Sequence, residues 1–111
     1  LDREGEWLGT AEIRGKLYDR GPYPLLVITG SAEEIVHGEV YRLQRPDDTF
    51  PWLDDYEGVP SGSLIGDEYE RRVEPVTLRD ESTIRAWVYV HRGAVRDLPR
   101  LMNGRWRPPS R

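Results

Sequence analysis

Residues 51–59 read PWLDDYEGV, a short helix around which we expect the rest of the chain to be arranged. At about 100° per residue, five side chains share one arc of this helix: Phe50, Trp52, Leu53, Tyr56 and Glu57. We expect this arc to be the buried side, which places the Glu57 carboxylate among apolar neighbours. Burying an unpaired ionised carboxylate costs several kcal/mol or forces its pKa upward. Glu57 is therefore the first candidate functional residue.

The flanking residues predict where this helix begins and ends. Asp48 or Thr49 is the expected N-cap, and Pro51 is tolerated because it lies in the first turn. Gly58 is the natural C-terminal stop. Asp54 lies at the edge of the arc and Asp55 points away from it. We expect both carboxylates on the solvated face of the helix.

The pattern around Glu57 leaves two interpretations open with about equal weight. One is a buried salt bridge, with Arg71 or Arg72 as the partner. The other is a general acid/base, because a carboxylate in an apolar setting has the perturbed pKa that proton transfer uses.

Composition limits the class of protein. The 111 residues predict one domain, and 37% hydrophobic with 32% charged residues is typical of an ordinary soluble chain. No apolar run reaches the roughly 18 residues of a membrane span, and a net charge of −4 gives no general attraction to nucleic acid. The absence of cysteine excludes disulfides and thiolate chemistry and fits a cytoplasmic location.

Alternating and apolar segments predict at least five strands. They fall at residues 7–18, 25–29, 35–43, 69–78 and 83–91, and the last two form a hairpin. Gly9 and Gly15 mark places on the first strand where another segment can approach closely. Residues 95–102 are expected to form a helical turn or two. Because no βαβ rhythm is present, the fold class is α+β, with strands mostly antiparallel or mixed.

Other kinds of chemistry lack their motifs. His37 and His91 lie on different strands without metal-ligand spacing, so they are interpreted as ordinary histidines and no metal is expected. A nucleophile elbow and the common phosphate-binding loops are absent from the sequence. Arg71 and Arg72 stand among acidic residues and do not form a basic patch. We therefore expect neither cofactor nor nucleic-acid partner.

Five segments in order resemble the gamma-glutamylcyclotransferase-like family, which includes avirulence-induced proteins and gamma-glutamylamine cyclotransferases. They read GKLYDRGPYP at 15–24, VHGEVY at 36–41, LDDYEG at 53–58, YERRV at 69–73 and AWVYV at 86–90. The resemblance runs from about Trp7 to Trp106. It implies a small mixed β-barrel of five to six strands with one or two short flanking helices and a pocket at its mouth.

The resemblance also implies a reaction and a site. The family's catalytic glutamate matches Glu57, and the reaction converts a gamma-glutamyl amine or peptide into 5-oxoproline and the free amine, without a cofactor. The implied partner is thus a small gamma-glutamyl molecule. The substrate-binding residues that the resemblance implies are Tyr18, Asp19, Gly21, Tyr23, Pro24, Tyr69, Arg71 and Tyr89.

The sequence departs from the family pattern at its start. The family's first strand and its Tyr-Gly-Ser/Thr-Leu loop, whose backbone amides hold the substrate carboxylate, have no counterpart in residues 1–111. We expect a single domain over these residues that begins after that strand and loop. An alternative function is therefore a non-catalytic binding or accessory module of the same fold.

Overall fold

The computed structural model describes residues 5–21, 23–60 and 63–106, in which five strands and one helix are formed. In chain order they are β1 (Gly5–Asp19), β2 (Pro24–Ile28), β3 (Ile35–Leu43), α1 (Pro46–Tyr56), β4 (Tyr69–Leu78) and β5 (Thr83–His91).

The long strand β1 organises the sheet. Its residues 5–14 pair with β3, and its residues 15–19 pair with β2. Strand β1 also pairs with β4 over a short stretch, in which Ala11 faces Leu78 and Glu12 faces Thr77. Strand β4 in turn forms a hairpin with β5. The order is β2-β1-β4-β5 with β3 also on β1, and each of these pairings is antiparallel. The predicted α+β class is confirmed, but the sheet is not closed over the described residues, so "mixed barrel" describes it only loosely.

Gly15 confirms the predicted close approach on β1. A side chain at this position would collide with the backbone oxygen of Val27 on β2. Gly9 differs, because the space around it is open; it has a φ of +134° and lies where the β1–β3 register shifts. A positive φ at a register shift is a conformation that glycine tolerates best.

Two apolar clusters fill the interior. The first joins β1, β3 and β4 through Ala11, Val40 and Val76. The second consists of Leu25 from β2, Val59 from the segment after α1, and Tyr69 from the start of β4. This second cluster fixes the chain just beyond Glu57, and it therefore positions the site.

Helix α1 begins two residues before the earlier of the two predicted caps. Arg45 occupies the N-cap and makes no side-chain cap hydrogen bond. Asp47 and Asp48 lie in the first turn, where negative charges interact favourably with the positive end of the helix dipole. The helix ends at Tyr56, and Gly58 has a φ of +72°, so the predicted glycine stop is confirmed. No helix in the described part of the chain is long and apolar enough to cross a membrane.

The predicted buried arc of α1 is wrong in its phase. Trp52 is 44% exposed and Tyr56 is 81% exposed, whereas Thr49 and Asp54 are buried. The buried face of the helix includes Asp54 instead of Trp52 and Tyr56, because the Asp54 carboxylate is hydrogen-bonded to polar side chains on the sheet. Helical periodicity cannot reveal those partners.

The segment 95–102 forms turns and extended backbone instead of helix. The backbone N–H of Leu98 donates to the oxygen of Val95 at 3.0 Å, which makes a single turn. Further on, the N–H of Leu101 donates to the oxygen of Leu17 at 2.8 Å, so the segment lies along the end of β1.

Candidate functional site

Glu57 lies at the C-terminal end of α1, where the chain reverses direction. Its backbone N–H donates to the oxygen of Leu53 at 3.0 Å. The N–H of Val59 donates to the oxygen of Asp54 at 2.7 Å, and the positive φ of Gly58 lets the chain make this turn. The helix end is therefore closed by hydrogen bonds on both sides of Glu57.

A second glycine supports this turn from outside. A side chain at Gly66 would collide with the backbone oxygen of Gly58, so the two backbones are in close contact. The N–H of Gly66 also donates to the oxygen of Tyr69 at 2.8 Å, which ties it to the start of β4. Val59, next to Gly58, is 2% exposed and packs in the second apolar cluster. The backbone that carries Glu57 is thus held by packing as well as by hydrogen bonds.

A cavity of about 590 Å³ opens beside Glu57. Small-molecule sites typically have volumes of about 300 to 1,000 Å³. The lining residues are Leu17, Tyr23, Pro24, Leu26, Tyr56, Glu57, Gly58, Asp67, Glu68, Tyr69 and Tyr89. The structure thus brings five of the residues predicted for the site to one cavity: Glu57, Tyr23, Pro24, Tyr69 and Tyr89.

The predicted loop residues Tyr18, Asp19 and Gly21 are not among the described lining residues. Tyr18 packs against the second apolar cluster, and the Asp19 carboxylate accepts a hydrogen bond from the N–H of Gly21 at 2.7 Å. The N–H groups of Asp19 and Arg20 donate to the oxygens of Pro99 at 2.8 Å and Tyr23 at 3.2 Å. Because these amides are already engaged, this loop serves first to shape the segment that carries Tyr23.

Glu57 has no ion pair or side-chain hydrogen bond among residues 5–21, 23–60 and 63–106. Burial raises the pKa of its carboxyl group, and the negative charge of Glu68 raises that pKa further. Glu68 itself is held by the Arg20 guanidinium at 3.1 Å and by the Tyr23 hydroxyl at 3.4 Å. The negative charge of Glu68 is thus fixed at the wall of the cavity that Glu57 lines.

The salt bridge considered for Glu57 is contradicted, because both candidate arginines pair elsewhere. Arg71 pairs with Asp54 at 2.9 Å, and Arg72 pairs with Glu74 at 2.7 Å. Residues 71 and 72 alternate across β4, so they point to opposite faces of the sheet.

Two of the four tyrosines that line the cavity, Tyr69 and Tyr89, remain neutral phenols at physiological pH. Burial raises the pKa of Tyr69, with further contributions from the charges of Glu68 and Glu57. Burial likewise raises the pKa of Tyr89, and the hydrogen bond to Asp54 adds to the effect. The Tyr89 hydroxyl donates to Asp54 at 2.7 Å, whereas the Tyr69 hydroxyl makes no hydrogen bond within the described chain.

Asp54, which is bonded to the cavity residue Tyr89, is buried where the sequence interpretation did not expect it. It was expected on a solvated face, yet it is 3% exposed and accepts two hydrogen bonds from Arg71. The Arg71 guanidinium also lies 3.8 Å from the ring centre of Phe50 and 4.5 Å from that of Trp87. Arg71, predicted to bind substrate, thus lines a separate cavity of about 380 Å³ with these groups. Spacing along the helix gave no signal for this pairing, because Arg71 and Tyr89 lie on other elements.

The two histidines lie apart in the structure. His37 contacts Glu12 at 3.6 Å, and the His91 ring packs edge-on against Tyr69 with 6.0 Å between ring centres. In residues 5–21, 23–60 and 63–106, no group of three or more histidine, cysteine, aspartate or glutamate side chains could hold a metal ion.

The cavity therefore combines a carboxyl group of raised pKa with carboxylates and neutral phenols. A raised pKa moves a carboxylate closer to the range in which it can exchange a proton with an amine. The anionic walls at Asp67 and Glu68 favour a ligand that carries a positive charge. This arrangement can bind an ammonium group and move a proton to or from it.

A comparison with known protein families found a match that agrees with this chemistry. The family is described as "Gamma-glutamyl cyclotransferase, AIG2-like", and the match covers residues 2–108. Comparisons with curated proteins and with solved structures gave no match. Because the family match spans nearly the whole sequence, the chain belongs to the AIG2-like gamma-glutamyl cyclotransferase family.

Proposed function

We propose that this protein converts a gamma-glutamyl amine or peptide into 5-oxoproline and the free amine, with Glu57 as the general acid/base. The observation that carries the proposal is the position of Glu57, which lines a cavity of about 590 Å³ at a closed helix end. Family membership supports cyclotransferase chemistry in general. The specific reaction and the role of Glu57 are the proposal.

The proposed reaction rearranges bonds within one substrate molecule. The α-amine nitrogen attacks the gamma-glutamyl carbonyl carbon and forms the C–N bond of the lactam ring. The bond between that carbon and the leaving nitrogen then breaks. The α-nitrogen loses two protons in all, one before it attacks and one as the lactam forms. One of them reaches the departing nitrogen and the other converts the released amine to its ammonium form, so the reaction consumes neither water nor a redox partner.

Glu57 can carry the proton that passes from the α-ammonium group to the leaving nitrogen. The carboxylate removes a proton from the α-ammonium group, which frees the nitrogen lone pair for attack. The same carboxylic acid then protonates the leaving nitrogen. Burial and the charge of Glu68 raise the Glu57 pKa, and this narrows the gap to the pKa of the amine.

Substrate binding is assigned to groups on the lining of the cavity. The charged lining residues in the described part of the chain are Glu57, Asp67 and Glu68, which together favour the substrate's α-ammonium group. The neutral Tyr69 hydroxyl can donate to a substrate oxygen, and Tyr23 and Pro24 supply wall area. Since the ring closure is intramolecular, a cavity that keeps the substrate folded supplies much of the acceleration.

The partner in this proposal is a small molecule. The cavity volume of about 590 Å³ is suited to a compound of the size of a gamma-glutamyl amine or dipeptide. The cytoplasmic location inferred from the cysteine-free sequence stays a prediction.

The test is 5-oxoproline formation from a panel of gamma-glutamyl amines and dipeptides. Two matched controls are the α-glutamyl isomer and an N-acetylated gamma-glutamyl amine, whose blocked nitrogen cannot attack. We expect product from gamma-glutamyl compounds with a free α-amine and from neither control. If a folded protein binds these compounds by calorimetry but releases no 5-oxoproline, the alternative of a binding or accessory module is supported instead.

A further inference from the structure

We propose that Asp54 is a positioning residue that holds Glu57 and Tyr89 in their places at the cavity. It does so through hydrogen bonds to Arg71 and Tyr89. This inference rests on the proposed function, because it assigns a residue that supports the same site without contacting the substrate.

The Asp54 side chain makes three hydrogen bonds in a nearly closed environment. Arg71 Nε donates to Oδ1 at 2.9 Å, and Arg71 Nη2 donates to Oδ2 at 3.2 Å. The Tyr89 hydroxyl donates to Oδ1 at 2.7 Å. Asp54 is 3% exposed, so water does not compete for these oxygens. A two-point contact with the planar guanidinium fixes orientation as well as distance.

The main chain of Asp54 acts on the same turn. Its backbone oxygen accepts the Val59 N–H at 2.7 Å, which closes the reversal after α1. Glu57 lies within this closed turn. The Asp54 side chain ties the helix end to the sheet, while its backbone ties the helix end to the segment beyond Glu57.

Arg71 is the residue on the sheet to which the Asp54 side chain is bonded, and its own side chain is packed against aromatic rings. Its guanidinium lies over the rings of both Phe50 and Trp87, at 3.8 and 4.5 Å from their centres. On the sheet, Arg71 of β4 is the direct partner of Tyr89 on β5. Asp54 therefore connects α1 to two neighbouring strands at one point.

The link reaches three walls of the cavity. Glu57 follows Asp54 by one helical turn, Tyr89 is bonded to Asp54 directly, and Tyr69 lies two residues before Arg71 on β4. A buried ion pair is a weak source of net stability, since similar apolar side chains often serve a core equally well. From this geometry, the role of the Asp54–Arg71 pair is to position the residues that line the cavity.

The test separates placement from stability with a double variant, Asp54→Asn with Arg71→Met. This change removes both charges together, so no unpaired ion is left buried. The matched control is Glu74→Gln with Arg72→Met, which removes the neighbouring ion pair on the other face of β4. We expect both proteins to fold. In the Asp54/Arg71 variant, kcat falls at least about tenfold with KM changed less than about threefold.

The pH profile of kcat adds a readout that loss of stability would not produce. Asp54 acts on the position of Glu57 and not on its ionisation. In the Asp54/Arg71 variant we therefore expect the plateau of kcat to be lower than in wild type, while the acidic midpoint of the profile stays the same. The single variant Tyr89→Phe, which removes one hydroxyl and retains the ring, should lower kcat in the same direction. If either the double variant or folded Tyr89→Phe protein keeps kcat within about twofold of wild type, the proposal is overturned.

Hydrogen exchange distinguishes failure of this inference from failure of the proposed function. A wild-type protein that makes no 5-oxoproline contradicts the function, but the backbone N–H groups of Glu57 and Val59 still report on the helix end. We expect these amides to exchange at least about tenfold faster in the Asp54/Arg71 variant than in the control variant. Equal exchange would overturn the positioning role of Asp54 whether or not the protein is active.

Discussion

The Asp54 carboxylate accepts hydrogen bonds from Arg71 Nε at 2.9 Å and Nη2 at 3.2 Å. This pairing occupies one of the two arginines that could have neutralised Glu57, which follows Asp54 by one helical turn. Because Arg71 is committed to Asp54, it does not neutralise Glu57. Glu57 is left half-buried with a raised pKa, the condition in which a carboxylate can act as a proton carrier.

Breaking this pair on one side should cost the protein much of its stability. Asp54→Asn leaves the Arg71 charge buried without its counterion, which typically costs about 3–5 kcal/mol in the free energy of unfolding. Glu74→Gln is the control, because its partner Arg72 is 45% exposed and such a pair contributes at most about 1 kcal/mol. Urea unfolding measures both values. A loss below about 1 kcal/mol for Asp54→Asn would show that the Arg71 charge is not effectively buried.

The rate of the proposed reaction should fall in acid as Glu57 becomes protonated. Because its pKa is raised above the ordinary value of 4.5, the acidic midpoint of kcat/KM should lie above pH 4.5. Glu68→Gln removes a negative charge that disfavours ionised Glu57, so the midpoint should move to lower pH. Glu70→Gln, on β4 but outside the cavity, should leave it unchanged. A midpoint unaffected by Glu68→Gln would contradict the electrostatic description of the site.

The same pKa rise has a consequence for stability. The folded protein holds the Glu57 proton more tightly than the unfolded chain does, so folding is favoured while that proton is present. This contribution is complete below the unfolded pKa and is lost as the pH rises through the folded pKa. Glu57→Gln should therefore melt at or above the wild-type temperature at pH 7, with the difference vanishing at about pH 3. A Glu57→Gln protein that melts lower at pH 7 would indicate a structural ion pair instead.

The contact between Gly66 and Gly58 should be sensitive to a single methyl group. Gly66→Ala forces the Gly58 backbone to move, and overpacking of this kind costs about 1–3 kcal/mol. The same movement should displace Glu57 and lower kcat. Gly38→Ala is the control, since the space around Gly38 is open. Thermal melting and turnover of both variants check this, and an unaltered Gly66→Ala protein would show that the turn is not tightly packed.

Much of the fold could be predicted from local pattern. Alternating or apolar runs predicted each strand of the described sheet, and Gly58 predicted the helix end, because these signals are local in sequence. Closure of the sheet could not be judged in this way, since it depends on which strand edges meet. The helical turns expected at residues 95–102 were wrong for a similar reason: Leu101 is held extended by the backbone of Leu17, which is distant in sequence.

The candidate site, like the fold, has features that the sequence could predict and features that depend on residues distant in sequence. The resemblance placed Glu57, Tyr69 and Tyr89 together, and the structure brings them to one cavity. Periodicity placed Asp54 in solvent, because a carboxylate on a helix edge is normally hydrated. Its burial follows from Arg71 and Tyr89 on two strands, and helical periodicity does not identify partners in other elements.

The most direct test of the central claim is 5-oxoproline formation by Glu57→Gln and Asp55→Asn proteins under identical conditions. Glutamine keeps the size of the Glu57 side chain but cannot carry the proton, and Asp55 is an exposed carboxylate two residues away. With Glu57 as the general acid/base, Glu57→Gln should lose at least about 10²-fold in kcat. Asp55→Asn should stay within about twofold of wild type. Equal rates for Glu57→Gln and wild type would contradict the assignment of Glu57 as the proton carrier.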